Sequence, residues 1–169
     1  MSDKFYGKYR GMVLNNIDPM QQARLFVQVP DVAGLAPATW AMPCVPMAGI
    51  QNGMLALPMI GSGVWIEFEQ GEPDHPIWVG CFWGSAAEVP ALARATPPGV
   101  QAITMQTTLQ NGLTISDLPG PTGGIMLKSA TGATLIVNDT GIYILNGKGA
   151  SIVMTGPTVT VNAGALTIV

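Results

Sequence analysis

The chain has 169 residues, of which 48% are apolar and only 10% are charged, and its net charge is −3. An average globular protein is about 25% charged, so we expect much low-polarity surface, part of it buried against other chains. Because no cluster of Lys or Arg is present, the composition also argues against a nucleic acid partner.

Residues 1–84 contain five short apolar or alternating runs, each bounded by Pro, Gly or Asn, and no convincing helix. Five short strands suit a small closed barrel of the OB type, and a small sandwich is the alternative. Two long loops, residues 30–38 and 46–58, suit docking to a ring of other subunits. The predicted strands are residues 9–14, 24–29, 39–43, 63–68 and 77–82.

Residues 85–123 separate the two halves of the chain. Pro90, Pro97, Pro98 and Gly99 interrupt any regular period, so we interpret this segment as a linker and the start of a stem. The N-terminus lacks the apolar core of a signal peptide, and Pro or Gly breaks every apolar stretch. We therefore expect neither a signal peptide nor a transmembrane segment.

Residues 124–169 form an internal repeat punctuated by glycine every seven to nine residues. Between the glycines lie short runs of β-branched and apolar residues, which predict strands at 125–128, 134–137, 142–145, 151–154, 158–161 and 166–169. A strand followed by a glycine turn is typical of a β-solenoid. We expect the glycines to lie at its corners: Gly124, Gly132, Gly141, Gly149, Gly156 and Gly164.

Both faces of these strands are substantially apolar. Strand alternation places Leu135 and Val137 on one face, and Ile142 and Ile144 on one face of the next strand. A narrow chain without helices cannot cover such strands by itself. We expect partner chains to cover them, with these four residues as candidates for the core of a trimer, although the sequence does not decide which face points inward.

Several motifs resemble the phage baseplate assembly protein V family, which includes the spikes of contractile tails and of type VI secretion. The first is KYRGMV at residues 8–13, followed by NNIDP at 15–19. The second is PMIGSGVWIEFEQGEPDHPIWVG at 58–80, which is similar to the proline, glycine, strand and turn pattern of the family. The third is the glycine-punctuated segment 124–169, similar to the β-helix of the family.

The resemblance implies an all-β protein with a five-stranded OB-fold barrel at 1–84 and an intertwined triple-stranded β-helix at 124–169. It implies a parallel homotrimer that forms the membrane-puncturing spike of a contractile tail. In this arrangement the barrel contacts the tail tube, hub and baseplate proteins, and the other end faces the target-cell membrane. The resemblance also implies that the protein is located in the baseplate of a virion or injection particle, which is assembled in the bacterial cytoplasm.

At the tip, the resemblance implies a small PAAR-type capping protein. The chain stops in an apolar strand without a polar cap, and the contact residues would be Leu166, Thr167, Ile168 and Val169. Longer spikes of the family bind iron through a histidine pair at the tip. Since His75 is the sole histidine and lies in the barrel segment, we expect no such metal and no cofactor.

The barrel turn motif also comes from the resemblance. It comprises Gly71, Asp74, His75 and Pro76, and departs from the usual family pattern by Glu72 for Asp, His75 for Arg, and Ser62 for an acidic residue. These changes are conservative for a turn. We interpret His75 as a turn residue with local hydrogen bonds.

Three other groups of residues have alternative interpretations. Glu67 and Glu69, with Glu72 and Asp74, resemble a catalytic carboxylate pair, but no cleft-forming element accompanies them, so we predict no enzyme. Cys44 and Cys81 have apolar neighbours in sequence and no metal-ligand spacing, so we predict that both are buried free thiols. Met42, Met47, Met54 and Met59 predict either an adaptable partner-binding surface or core or intersubunit packing.

The alternative to a structural protein is a binding module. An OB barrel can bind single-stranded nucleic acid or oligosaccharide, given stacking aromatics beside basic residues. The candidate platform consists of Phe5, Tyr6, Tyr9, Lys4, Lys8 and Arg10.

Overall fold

The computed structural model describes residues 3–33 and 38–168. It divides the chain into two compact units, Met1–Glu88 and Val89–Val169. Within the described residues the secondary structure is almost entirely β, with two short α-helices of four and five residues. The all-β prediction is therefore confirmed, and the two short helices are additions that it lacked.

The first unit is a closed barrel of five strands. In chain order it contains β1 (Tyr9–Asn15), β2 (Leu25–Gln28), α1 (Pro30–Ala33), β3 (Thr39–Pro43), β4 (Ala48–Gly49), β5 (Asn52–Gly53), β6 (Gly63–Phe68) and β7 (Pro76–Phe82). The barrel order is β1-β2-β3-β7-β6, with β6 also paired to β1, and β4 and β5 form a separate hairpin. The five predicted strands are the five barrel strands.

The barrel forms because its strands alternate inward apolar side chains with outward ones. In β6, Val64, Ile66 and Phe68 are buried while the residues between them are half-buried. They pack with Val13 and Leu25, both fully buried, in one core. Among the described residues, the one parallel pairing joins Met42 to Ile77 and Pro43 to Trp78, and it closes the barrel between β3 and β7.

The second unit is an eight-stranded antiparallel sheet preceded by α2 (Ala91–Ala95). Each strand pairs with its neighbour in sequence, so the sheet is a meander. The strands are β8 (Ala102–Gln106), β9 (Gly112–Ser116), β10 (Gly124–Lys128), β11 (Thr134–Asn138), β12 (Gly141–Leu145), β13 (Ser151–Thr155), β14 (Thr158–Val161) and β15 (Leu166–Ile168).

The meander corrects two expectations. The segment 85–123, predicted as a linker and the start of the stem, contains β8 and β9, so the sheet begins before the glycine repeat at residue 124. The glycine repeat marks antiparallel hairpins of one chain rather than the corners of a solenoid coil, with Gly132, Gly149 and Gly156 in the connections. The physical reason is that a strand plus a tight turn takes about eight residues whether the chain coils onward or folds back.

Two glycines of this repeat give a matched pair of tests. Both have left-handed φ, 79° at Gly124 and 101° at Gly149. A Cβ on Gly124 would clash with the Val137 carbonyl oxygen, whereas one on Gly149 meets nothing within 4 Å. Gly149→Ala should therefore cost only backbone strain, about 1–2 kcal/mol. Gly124→Ala should cost about 1–3 kcal/mol more, because the chain must shift. Urea unfolding followed by circular dichroism measures both, and equal losses would contradict the geometry.

Candidate interaction surfaces

One face of the eight-stranded sheet consists of two continuous rows of apolar residues, which we call the apolar face. Cross-strand partners follow one another along each row without a polar residue. The first row is Ile103, Ile115, Ile125, Val137, Ile142, Met154 and Val159, and its register continues to Ile168. The second row is Met105, Leu113, Leu127, Leu135, Ile144, Ile152, Val161 and Leu166.

The apolar face is open to solvent in the single chain. Ile103 is 56% exposed, Ile125 46% and Ile144 43%, which is unusual for side chains of this size in the middle of strands. The four candidate trimer-core residues all lie here: Val137 is opposite Ile142, and Leu135 is opposite Ile144. The structure thus brings the four together on one face.

The rows extend further than the sequence analysis predicted. Ile103 and Met105 of β8, and Leu113 and Ile115 of β9, continue both rows into the segment that was interpreted as a linker. The alternating ITM and LTI triplets were the available signal in the sequence. They were missed because the glycine repeat begins only at residue 124.

The opposite face of the sheet is mixed, and we call it the polar face. Its central row begins with Thr104 and Thr114 and continues through Met126, Ile136, Tyr143 and Val153 to Thr160. The Tyr143 hydroxyl lies 2.7 Å from the Thr140 hydroxyl. The flanking positions include Lys128, Thr134, Asn138 and Ser151. Thr114 and Ser116 are buried on this face, and the Oγ1 atoms of Thr104, Thr114 and Thr134 have no hydrogen-bond partner among the described residues. The large side chains of the strands that stand most open to solvent lie on the apolar face, which identifies it as the face that needs a partner.

A second surface lies on the barrel, on the long connection between β3 and β6, and we call residues 44–62 the apolar arm. From residue 32 to residue 66 the sequence contains no charged side chain. Ile50 is 97% exposed at the turn of the β4–β5 hairpin, and Leu55 is 66% exposed. Of the four methionines, Met42 is 46% exposed, Met47 and Met54 50%, and Met59 58%, so none belongs to the barrel core.

An open groove of about 590 Å³ separates the apolar arm from the turn that follows β1. The arm contributes apolar side chains, among them Met47, Met54, Leu55 and Leu57. The turn contributes Asn16, Asp18, Gln21, Gln22 and Ala23. One wall is therefore apolar and adaptable, and the other is a polar turn.

Asp18 makes that turn rigid. Its carboxylate accepts hydrogen bonds from the backbone N–H groups of Met20, Gln22 and Arg24, and the Arg24 guanidinium donates to it at 2.7 and 3.1 Å. The side chain of Asp18 is only 3% exposed. The Arg24 hydrogen bond, helped by the backbone donors, holds the pKa of Asp18 well below its usual value despite the burial.

This lowered pKa predicts an acid-sensitive barrel. A carboxyl whose folded pKa is depressed contributes stability above its unfolded pKa, near 3.9, and that stability is lost as the pH falls toward the folded pKa. We expect the midpoint temperature of barrel unfolding to fall once the pH is lowered below about 4. The Asp18→Asn variant should be less stable than the unsubstituted protein at neutral pH. Its unfolding temperature should also fall less on acidification. Thermal unfolding at pH 7 and pH 3 measures this, with Asp31→Asn as a control on an exposed carboxylate.

Two family models match the chain. The model described as the type VI secretion system/phage-baseplate injector OB domain matches residues 9–83, which span the barrel strands. The model described as the phage baseplate V C-terminal trimerisation domain matches residues 102–167, from the first strand of the meander into the last. The chain belongs to the phage baseplate V and type VI secretion spike family. A search of curated proteins found no match.

Membership in this family supports a structural role in a baseplate, and the trimerisation match supports a homotrimer. The second match begins at residue 102, where β8 begins, so family and structure agree on the start of the sheet. Both matched families are structural baseplate domains.

In the baseplate V barrel, the turn motif joins β6 to β7. Gly71 and Pro76 are buried, while Asp74 and His75 are exposed. The His75 N–H donates to the Glu72 carbonyl at 3.0 Å, and the His75 carbonyl accepts from Glu69 at 2.9 Å. The Gly71 carbonyl accepts from the Phe5 N–H at 2.9 Å. The motif therefore has local hydrogen bonds and a contact with the N-terminal segment.

The aromatic and basic residues considered for a nucleic acid or sugar site contact other parts of the barrel. Phe5 and Tyr9 pack on Phe68, with ring centroids 6.2 and 5.5 Å from it. The Arg10 guanidinium lies 5.6 Å from the Trp65 ring centroid. Lys4 pairs with Glu72, and Lys8 pairs with Glu67. These contacts occupy five of the six groups that a stacking platform would present, and Tyr6 is the exception at 71% exposure.

The remaining candidate groups are dispersed. Glu67 and Glu72 are paired with lysines, and across residues 3–33 and 38–168 no group of three or more His, Cys, Asp or Glu side chains could hold a metal ion. Cys44 and Cys81 are free but exposed, so the prediction of buried thiols is wrong; both lie near the end of barrel strands. Partial burial raises the pKa of the Cys81 thiol. In the described part of the chain, no helix has the length and apolarity needed to span a membrane.

Proposed function

We propose that this protein is the central spike of a contractile tail or a related injection machine, acting mechanically and without catalytic residues. The observation that carries the proposal is the apolar face, which is open in the single chain and coincides with the match to a trimerisation domain. Copies of the chain that bury this face against one another form a symmetric assembly, which suits a position on the axis of a baseplate.

In the proposed trimer, three chains run parallel and turn their apolar faces inward, forming a three-sided β-helix. Each chain already pairs its own strands, so side-chain packing on the axis holds the chains together. Leu135, Val137, Ile142 and Ile144 then lie in a dry core, and the polar face meets water. The glycines of the hairpin connections would line the edges of the prism.

The two ends have different tasks in this proposal. The barrel, which carries most of the charges, joins the tail tube, hub and baseplate proteins, and the C-terminal end faces the target membrane and punctures it. A PAAR-type protein would cap the tip at Leu166, Thr167 and Ile168, together with Val169, which lies outside the described residues.

Imaging of the assembled particle tests the proposal. We expect one trimer on the axis of the baseplate, with the barrel against the tube and density beyond the last strand from the cap. A copy number of six or more at the periphery, or the barrel at the distal end, would contradict the spike. Axial density that ends with the last strand would remove the cap alone.

A further inference from the structure

The apolar arm carries both a projecting residue and an open groove. Ile50 is 97% exposed at the tip of the β4–β5 hairpin. At the base of the same arm lies the groove of about 590 Å³, lined by Met47, Met54 and Leu55. The Met54 N–H donates to the Met47 carbonyl at 3.0 Å and closes the base of the hairpin that bears Ile50. The hairpin residues Ala48, Asn52 and Gly53 line the groove of their own chain, whereas Ile50 at the tip does not.

The lack of free charge on the apolar arm and in the groove restricts what can bind in the groove. The arm contains no charged side chain, and Asp18 is the sole ionisable group among the described residues that line the groove. Its charge is neutralised by Arg24 and enclosed by three backbone donors. A charged segment entering the groove would lose hydration without gaining an ion pair. The complementary partner is therefore an uncharged apolar projection, which is what the arm tip itself provides.

Threefold symmetry supplies the reason for carrying both parts on one chain. Three copies around an axis make head-to-tail contacts, in which one patch of each subunit meets a different patch of the next. We propose that the Ile50 tip of each barrel inserts into the arm groove of the neighbouring protomer, linking the three barrels into a closed ring. This inference rests on the trimer of the proposed function. Barrels tethered in one trimer are at roughly millimolar effective concentration, so a small contact suffices.

Disulfide cross-linking in the full-length protein tests the ring. In a Cys44→Ser, Cys81→Ser background, Ile50→Cys is combined with Leu55→Cys, which lines the groove. Mild oxidation should give covalent dimers and trimers on a non-reducing gel. The matched control combines Ile50→Cys with Ile60→Cys, an arm residue that is 58% exposed and does not line the groove. It should remain monomeric on the gel.

The outcomes separate the ring from the trimer. Light scattering at three chain masses with no interchain cross-link, or with equal cross-linking in the control, overturns the ring and leaves the trimer in place. Light scattering at one chain mass overturns both. A cross-link confined within one chain also overturns the ring, because the tip would then reach its own groove.

Hydrogen exchange gives a second readout that needs no cysteine. In the full-length trimer, Ile50→Asp should accelerate exchange of the amides of residues 52–57 about tenfold, because burial of the isoleucine is lost. Ile60→Asp is the control and should leave them unchanged. If Ile50→Asp abolishes binding to the tail-tube protein but leaves the exchange as it was, the arm contacts the tube and the ring is wrong.

Discussion

Ile144→Asp should convert the protein from trimers to single chains. In the proposed trimer this substitution places three carboxylates in a dry apolar core, each at a desolvation cost of several kcal/mol. Ile144 stands in the middle of the second row, between Leu135 and Ile152. Light scattering should change from three times the chain mass of 17.6 kDa to that mass, or to aggregates formed by the opened apolar face.

The control for this prediction is Thr155→Asp, which introduces the same charge at an exposed position at the end of β13. It lies in the same strand as Ile152 but on the polar face, so we expect the trimer mass to persist. If both variants remain trimeric, the apolar face does not form the interface. If both dissociate, charge alone and not its position explains the result.

Ile103→Asp should show whether the trimer interface includes β8. Ile103 lies in β8 and continues the first apolar row, at 56% exposure in the single chain. We expect this substitution to weaken the trimer as strongly as Ile144→Asp, because the same three charges enter the same core. Light scattering over a dilution series measures the shift in dissociation.

The control is the neighbouring residue Thr104, whose partner across the strands is Thr114 on the polar face. Thr104→Val changes no charge and should leave the mass of the assembly unchanged. Should Ile103→Asp remain a trimer at every concentration while Ile144→Asp dissociates, the interface would start at residue 124, where the glycine repeat begins.

Local sequence pattern was sufficient for most of the strands. The bounds of β3, β6 and β14 were predicted to the residue, because Pro, Gly or a turn polar group stands at their ends. The alternation within β11 and β12 also assigned Leu135 and Ile144 to faces correctly within each strand. That the faces of successive strands coincide required the register, which sequence periodicity does not contain.

The errors have physical causes as well. A repeat of about eight residues is compatible with a coil and with a meander, so the strand partners could not be inferred from spacing. Proline-rich sequence around Pro97 and Pro98 concealed β8, whose five residues carry a weak alternation. One wall of the groove beside the apolar arm is a turn in which Arg24 pairs with Asp18, and only the folded chain brings Asp18 to the groove opposite the arm.

The meander has a consequence for how the particle is built. Because each strand of the second unit pairs with the next one in sequence, its contact order is low, and the backbone pairing of the sheet needs no strand from another copy. Association of the chains is then a separate intermolecular step, in which the sheets of different copies contact one another through side chains. The rate of spike formation should accordingly depend on protein concentration while the rate of sheet formation does not, and subunits can be added without threading three polypeptides through one another.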